Sequence, residues 1–165
     1  MNGAPAADMD ASLLNGYYPE WRLLIQRPCN VLFEGTVVDT HAVLRLLQPH
    51  LRAPIARHEP PAAFDVPSGE TRTLVLSDAV ALSRSDQRKL LAWMHGKGSR
   101  TQIITTASRP LFPLVTAGLF DDTLYYRLNV LLLRVSAPLQ LGLLDENGID
   151  VASRPLPGSI APRQG

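Results

Sequence analysis

One cysteine, Cys29, leaves this chain without an intrachain disulfide and fits a reducing compartment. Charge of one sign is equally scarce. Sixteen Lys and Arg stand against fifteen Asp and Glu, the net charge is +1, and no basic block occurs. That removes a field-driven attraction to nucleic acid or membrane. No apolar run reaches the ~20 residues of a membrane span. The start, MNGAPAADMDASLLNG, has neither a basic opening nor a long apolar core, which reads against a secretory signal, and Met1 reads as an intact start. A cytoplasmic protein is expected. His41, His50, His58 and His95 show no metal-ligand spacing. No partner residue near Cys29 would activate its thiol, so a buried structural cysteine is expected.

What is present is a chain of 165 residues, 45% hydrophobic, long enough for one domain with a substantial core. Residues 1–11 are small and polar, a disordered composition. Residues 12–27 carry Leu13, Leu14, Tyr17, Tyr18, Trp21 and Leu24 at near-helical spacing, and Pro19 divides them into two short pieces. Core packing is favoured for this face over a partner surface. CNVLFEG, RTLVLS, TQIITTA and VLLLRV are continuous apolar runs and predict four buried strands. Between them, residues 40–52 predict a helix capped by Asp39 or Thr40. Residues 53–70 are Pro-rich loop with at most a short strand near Ile55. Residues 84–95 predict a helix capped by Ser83, with Asp86 completing a capping-box-like pair. Pro110 and Gly118 bracket another helix, and Asp121 and Asp122 open a last short one. From Pro138 onward the signal fades, and 139–165 read as a tail. Strands without alternation, separated by amphipathic helices, mean an α/β doubly wound domain with a mostly parallel sheet.

Three strand-to-helix junctions could carry chemistry. In EGTVVDTHA, Gly35 begins what would be a phosphate loop, but the remaining glycines are missing and Val37 and Val38 resist the unusual dihedrals such a loop needs. A plain turn is favoured there over phosphate binding. In TLVLSDAVAL, Ser77 and Asp78 end a strand where an NTPase places a magnesium ligand and a water-polarising acid. A serine hydroxyl is a poor magnesium ligand, and Asp78 is favoured as a helix-opening residue. In IITTASRP, Ser108 sits at a strand end where α/β sheets bind ligands, or simply caps the next turn.

The most specific stretch is FDDTLYYRLNV, residues 120–130. It resembles FREDLYYRLNV of the AAA+ domain of sigma-54-dependent transcription activators, where the segment delivers arginine to a neighbouring subunit's ATP. From about Pro28 to Pro138 the order of blocks is similar to that family. CNVLFEG looks like the strand before the Walker A loop, TLVLSDAVALSRSDQRKLLAWM like the Walker B strand and its helix, and the block from Thr101 to Val130 like sensor I through to the arginine fingers.

The departures from the family fall on chemistry. The Walker A lysine position reads His41 and the loop-glycine positions read Val38 and Thr40. The Walker B pair reads Ser77-Asp78, the sensor asparagine Ser108, and the first finger Asp121, leaving Arg127 alone. The GAFTGA loop that touches sigma-54 has no counterpart, and the 27 residues after Pro138 lack the pattern of a helical lid. The resemblance therefore implies a P-loop NTPase-like fold at residues 28–138, truncated and kept after the reaction was given up. The expected role is a pseudo-ATPase domain of a bacterial transcription regulator, acting through protein contacts with itself or with an AAA+ activator. Its interface residues would be Asp121, Tyr125, Tyr126 and Arg127, with one ring of the tyrosine pair packed inward and the other half exposed. The degenerate nucleotide site would be Gly35, Thr40, His41, Ser77, Asp78 and Ser108. No cofactor or metal is expected; ATP or ADP would bind weakly at most. Direct binding to nucleic acid or membrane is not expected.

Overall fold

In the computed structural model, residues 23–136 and 140–143 are described. A helical turn at 23–26 leads into β1 (Val31–Gly35), α1 (Val37–Leu47), a 3-10 turn (Gln48–His50) and β2 (Ile55–His58). There follow β3 (Thr73–Leu76), a 3-10 turn (Ala79–Ala81), α2 (Arg84–His95) and β4 (Gln102–Ala107). α3 (Phe112–Thr116), α4 (Asp122–Leu128), β5 (Leu131–Ser136) and β6 (Gln140–Leu143) complete the order. The strands lie side by side as β2-β3-β4-β1-β5-β6. The first five are parallel, and β6 adds an antiparallel edge, with Gln140 opposite Ser136 and Leu143 opposite Leu133.

The apolar strand runs are continuous because both faces of the sheet are covered. Successive side chains point to opposite faces, and β1 divides accordingly. Leu32 joins Leu74, Leu76 and Ile103 under α2 and α4, where Leu90, Trp93, Met94, Leu124 and Leu128 pack, with Phe64 from the long loop. Val31 and Phe33 join Val75, Ile104, Leu133 and Val135 under α1, where Val43 and Leu47 pack with Leu24. Each fully buried Leu or Phe of these layers contributes about 1.5–3 kcal/mol. No described helix is long and apolar enough to cross a membrane.

The four predicted strands and the helix at 84–95 stand where the sequence puts them. Ser83 caps α2 as expected: its Oγ accepts from Asp86 N (3.1 Å) and donates to Asp86 Oδ2 (2.7 Å). Gly118 ends the α3 region with φ +67°, a left-handed conformation that glycine adopts without strain. Three expectations are corrected. α1 starts at Val37, not residue 40, and Thr36 rather than Asp39 or Thr40 is its cap. Pro113, not Pro110, occupies the first turn of α3. The tail from residue 139 is not wholly irregular, because β6 takes its hydrogen bonds from the exposed edge of β5, a pairing that local sequence does not encode. The expectations for residues 1–22, 137–139 (the boundary at Pro138) and 144–165 lie outside the described residues.

Candidate functional site at the carboxyl ends of the strands

β1 sits between β4 and β5, with α1 on one face of the sheet and the chain after β4 on the other. A doubly wound sheet opens its ligand crevice at such a reversal, outside the strands' carboxyl ends. Four of the six nucleotide-site residues expected from sequence, Gly35, Ser77, Asp78 and Ser108, stand at or just beyond those ends; Thr40 and His41 stand in α1.

The junction after β1 is a single residue, Thr36. Gly35 is the last residue of β1, opposite Val135, and a Cβ there would run into the Val135 carbonyl oxygen. Its glycine character is therefore explained by close strand approach. Residues 37–42, which a phosphate loop would need as free backbone, are instead the opening turns of α1. Thr36 Oγ1 accepts from Asp39 N (3.2 Å) and donates to Asp39 Oδ2 (2.7 Å), so a carboxylate already occupies the positive end of the helix. Val38, 75% exposed, lies in the same turn. Thr40 is buried, and its hydroxyl is taken up by the backbone of its own helix turn, donating to Thr36 O (3.0 Å) and Val37 O (3.2 Å).

The ends of β3 and β4 are tied together. Asp78 takes a left-handed conformation, φ 43° and ψ 68°, which aspartate tolerates better than most residues. Its N–H donates to Thr106 Oγ1 (2.9 Å), and its Oδ1 accepts from Ser108 N (3.0 Å). Asp78 and Ser108 thus meet, as strand-linking groups. His41 and Ser77 also come together, lining a cleft of about 410 Å³ with Arg45, Arg57 and Glu59. Arg57 Nη2 donates to Gln48 Oε1 across it (2.8 Å).

Sequence reasoning missed Glu34. Only 4% exposed, its Oε1 accepts from Leu111 N (2.9 Å) and its Oε2 faces Arg134 Nε at 3.7 Å. It fastens the end of β1 to the β4–α3 connection and to β5. An acid inside an otherwise apolar run was the available signal, since a buried carboxylate must find partners. Among the described residues no group of three or more His, Cys, Asp or Glu could hold a metal ion.

The four residues expected at an interface do not form one surface. Asp121 caps α4, accepting from Leu124 N at Oδ1 (2.8 Å), while its own N–H donates to Gln87 Oε1 (2.9 Å). Of the tyrosine pair, Tyr125 is the ring that packs inward, so it is a core residue and not an interface one: it lies against Phe112 (5.8 Å) and Tyr126 (5.2 Å). Burial pushes its phenol above the usual tyrosine range. Tyr126, 63% exposed, and Arg127 stand at the far end of α4, near the amino ends of the strands. Arg127 Nη2 lies 3.4 Å from His95 Nδ1, and its carbonyl accepts from Asn30 Nδ2 (2.8 Å). Cys29 is half-buried, and burial raises its thiol above the ordinary range, as befits an unreactive cysteine.

A family model described as the sigma-54 interaction domain matches residues 54–138, just over half of the chain. No curated protein matches the sequence. Among solved structures, NtrX from Brucella abortus in complex with ADP is similar over 81% of this chain, at 14% identity and a TM-score of 0.59. Its complex with ATP gives 12% identity and a TM-score of 0.56 over the same share, and a further NtrX structure gives 15% and 0.55 over 79%. At these identities the likeness shows a shared fold. The chain spans only 36–40% of the NtrX chains it matches.

Proposed function

The chain belongs to the sigma-54 interaction domain family, and from that premise we propose that it is a non-catalytic, cytoplasmic member that modulates transcription activation through protein contacts. One observation carries the reading: β1 runs into α1 through Thr36 alone. Phosphoryl transfer depends on positioning and charge, supplied by a loop whose backbone N–H groups wrap the phosphates, a lysine, and a held magnesium ion. Here the loop's residues are helical, His41 replaces the lysine, and Thr36 with Asp39 closes the helix end. Ser77 offers magnesium no charge, and the Asp78 carboxylate is held by Ser108 N. The residues matching the family elsewhere, such as Leu90, Leu111, Leu124 and Leu128, belong to the core. A fold kept for its surface and not for its reaction has this distribution.

The partner would be an AAA+ activator subunit or a second copy of this chain. Placed in an activator ring, the domain would present Asp121 where the family presents an arginine to its neighbour's γ-phosphate. A carboxylate there opposes hydrolysis. The test is to add the protein to an active sigma-54 activator and follow ATPase rate across a wide ratio. The rate should fall as the mixed fraction rises; an unchanged rate removes the proposal.

A second reading, weak nucleotide binding without hydrolysis, is favoured by the cleft at His41 and Ser77, which Arg45 and Arg57 line. NtrX was crystallised with ADP and with ATP. Calorimetric titration of this chain with each nucleotide, with and without magnesium, separates the readings: no heat at millimolar nucleotide leaves only the protein-contact role.

A further inference from the structure

At the opposite end of the strands, outside their amino ends, lies a cavity of about 920 Å³. Arg52, Arg72 and Arg100 line it, against a single acid, Glu70. A second cavity of about 350 Å³, lined by Tyr126, Arg127 and Met94, shares Asn30, Ser99, Thr101 and Val130 with the first, so the two form one trough. Its apolar end is exposed: Tyr126 at 63% and Val130 at 65%.

The floor of this trough is internally satisfied. Asn30 Oδ1 accepts from Ile103 N (2.8 Å) and its Nδ2 donates to Arg127 O (2.8 Å). Gln102 Nε2 donates to Cys29 O (3.0 Å), and Thr101 Oγ1 to Thr71 O (2.8 Å). Arg72 O accepts from Gln102 N (3.0 Å), which fixes the backbone beneath that side chain. The walls differ. The guanidinium groups of Arg52, Arg72 and Arg100 make no hydrogen bond or ion pair with any described residue. A rigid floor and three unengaged forks favour a ligand that brings carboxylates, which arginine holds in a planar two-bond geometry.

We infer that this trough is a docking site for an acidic segment of a partner protein, bound with carboxylates on Arg52, Arg72 and Arg100 and one apolar side chain between Tyr126 and Val130. A protein segment is favoured over a nucleic acid because the chain carries a net charge of only +1 and places Glu70 in the same trough. A polyphosphate backbone needs a broader basic field. The site does not depend on the loss of hydrolysis, since it lies at the other end of the strands; an ATP-hydrolysing chain could carry it equally.

The test is fluorescence anisotropy with the full chain and a labelled twelve-residue peptide carrying four glutamates around one leucine. The controls are its all-glutamine counterpart and a labelled single-stranded oligonucleotide. Arg72→Glu with Arg100→Glu should weaken the glutamate peptide at least tenfold, with the thermal transition unchanged because both side chains are exposed. Tyr126→Ala should weaken it several-fold. The glutamine peptide should bind at least tenfold more weakly than the glutamate peptide. No glutamate-peptide binding up to about 1 mM, or equal binding by the double variant, overturns the inference. So does tighter binding of the oligonucleotide. A tenfold gain in peptide affinity on neutralising Asp145, Glu146 and Asp150 together would also overturn it, by assigning the trough to the chain's own acidic stretch.

Discussion

Thr36 and Asp39 grip each other across the first turn of α1: the threonine oxygen accepts the aspartate's backbone N–H, and its hydroxyl donates to the aspartate's carboxylate. The pair begins a helix one residue after β1 ends, and the proposed loss of ATP hydrolysis rests on that short junction. Ser83 and Asp86 repeat the arrangement at the start of α2. The same local device thus starts two helices, the first of them directly after β1.

Removing the first cap should loosen α1 without disturbing the sheet. Thr36→Ala is expected to lower stability by about 1 kcal/mol, read from denaturant unfolding with an unchanged m-value. Thr36→Ser should restore most of it. A neutral Thr36→Ala would mean that the cap contributes nothing in solution.

Gly35→Ala is expected to cost about 1–3 kcal/mol through overpacking, because the new methyl meets the Val135 carbonyl oxygen. The loss should appear with no nucleotide present. Stability equal to the parent chain would return Gly35 to the role of a binding residue.

Asp121 joins a cap and a charge, and these can be separated. Asparagine also caps helices, so Asp121→Asn should leave stability within a few tenths of a kcal/mol, whereas Asp121→Ala should lose about 1 kcal/mol. In mixtures with an active sigma-54 activator, the asparagine variant should no longer slow ATP hydrolysis. Equal slowing by parent and Asp121→Asn would assign the effect to something other than the carboxylate.

The Asp86 carboxyl is held below the usual carboxylate range by the Ser83 hydroxyl, then by Phe64 N and Lys89. A group depressed in the folded state stabilises fully above its unfolded pKa, about 3.9, and loses that contribution as pH falls through the folded value. Unfolding free energy should therefore fall on acidification below about pH 4. Asp86→Asn should flatten that part of the profile while costing stability at pH 7. An identical acid slope in both proteins would remove Asp86 as its source.

The sequence marked the strands because burial on both faces writes them as unbroken apolar runs, and the capping pair at Ser83 marked α2 to the residue. The same signature was present as Thr36-Val-Val-Asp39, but two β-branched residues disguised the helix start as a turn. β6 escaped because an edge strand is defined by the partner it pairs with, and QLGL alone carries little signal. At the candidate site, the residue types at Gly35, His41, Ser77, Asp78 and Ser108 were legible. Their bonds were not: Asp78 reaches Ser108 across thirty positions, and Glu34 reaches Leu111 across seventy-seven. Tyr125 and Tyr126 read as a pair, while only the helix's rotation on the sheet decides which ring is buried.

Phosphate release from magnesium-ATP by the purified full chain, followed over hours at high protein concentration, tests the central claim most directly. The helical junction after Thr36 predicts no turnover above the buffer blank at any nucleotide concentration. Turnover that saturates with ATP and disappears in Asp78→Asn would contradict it.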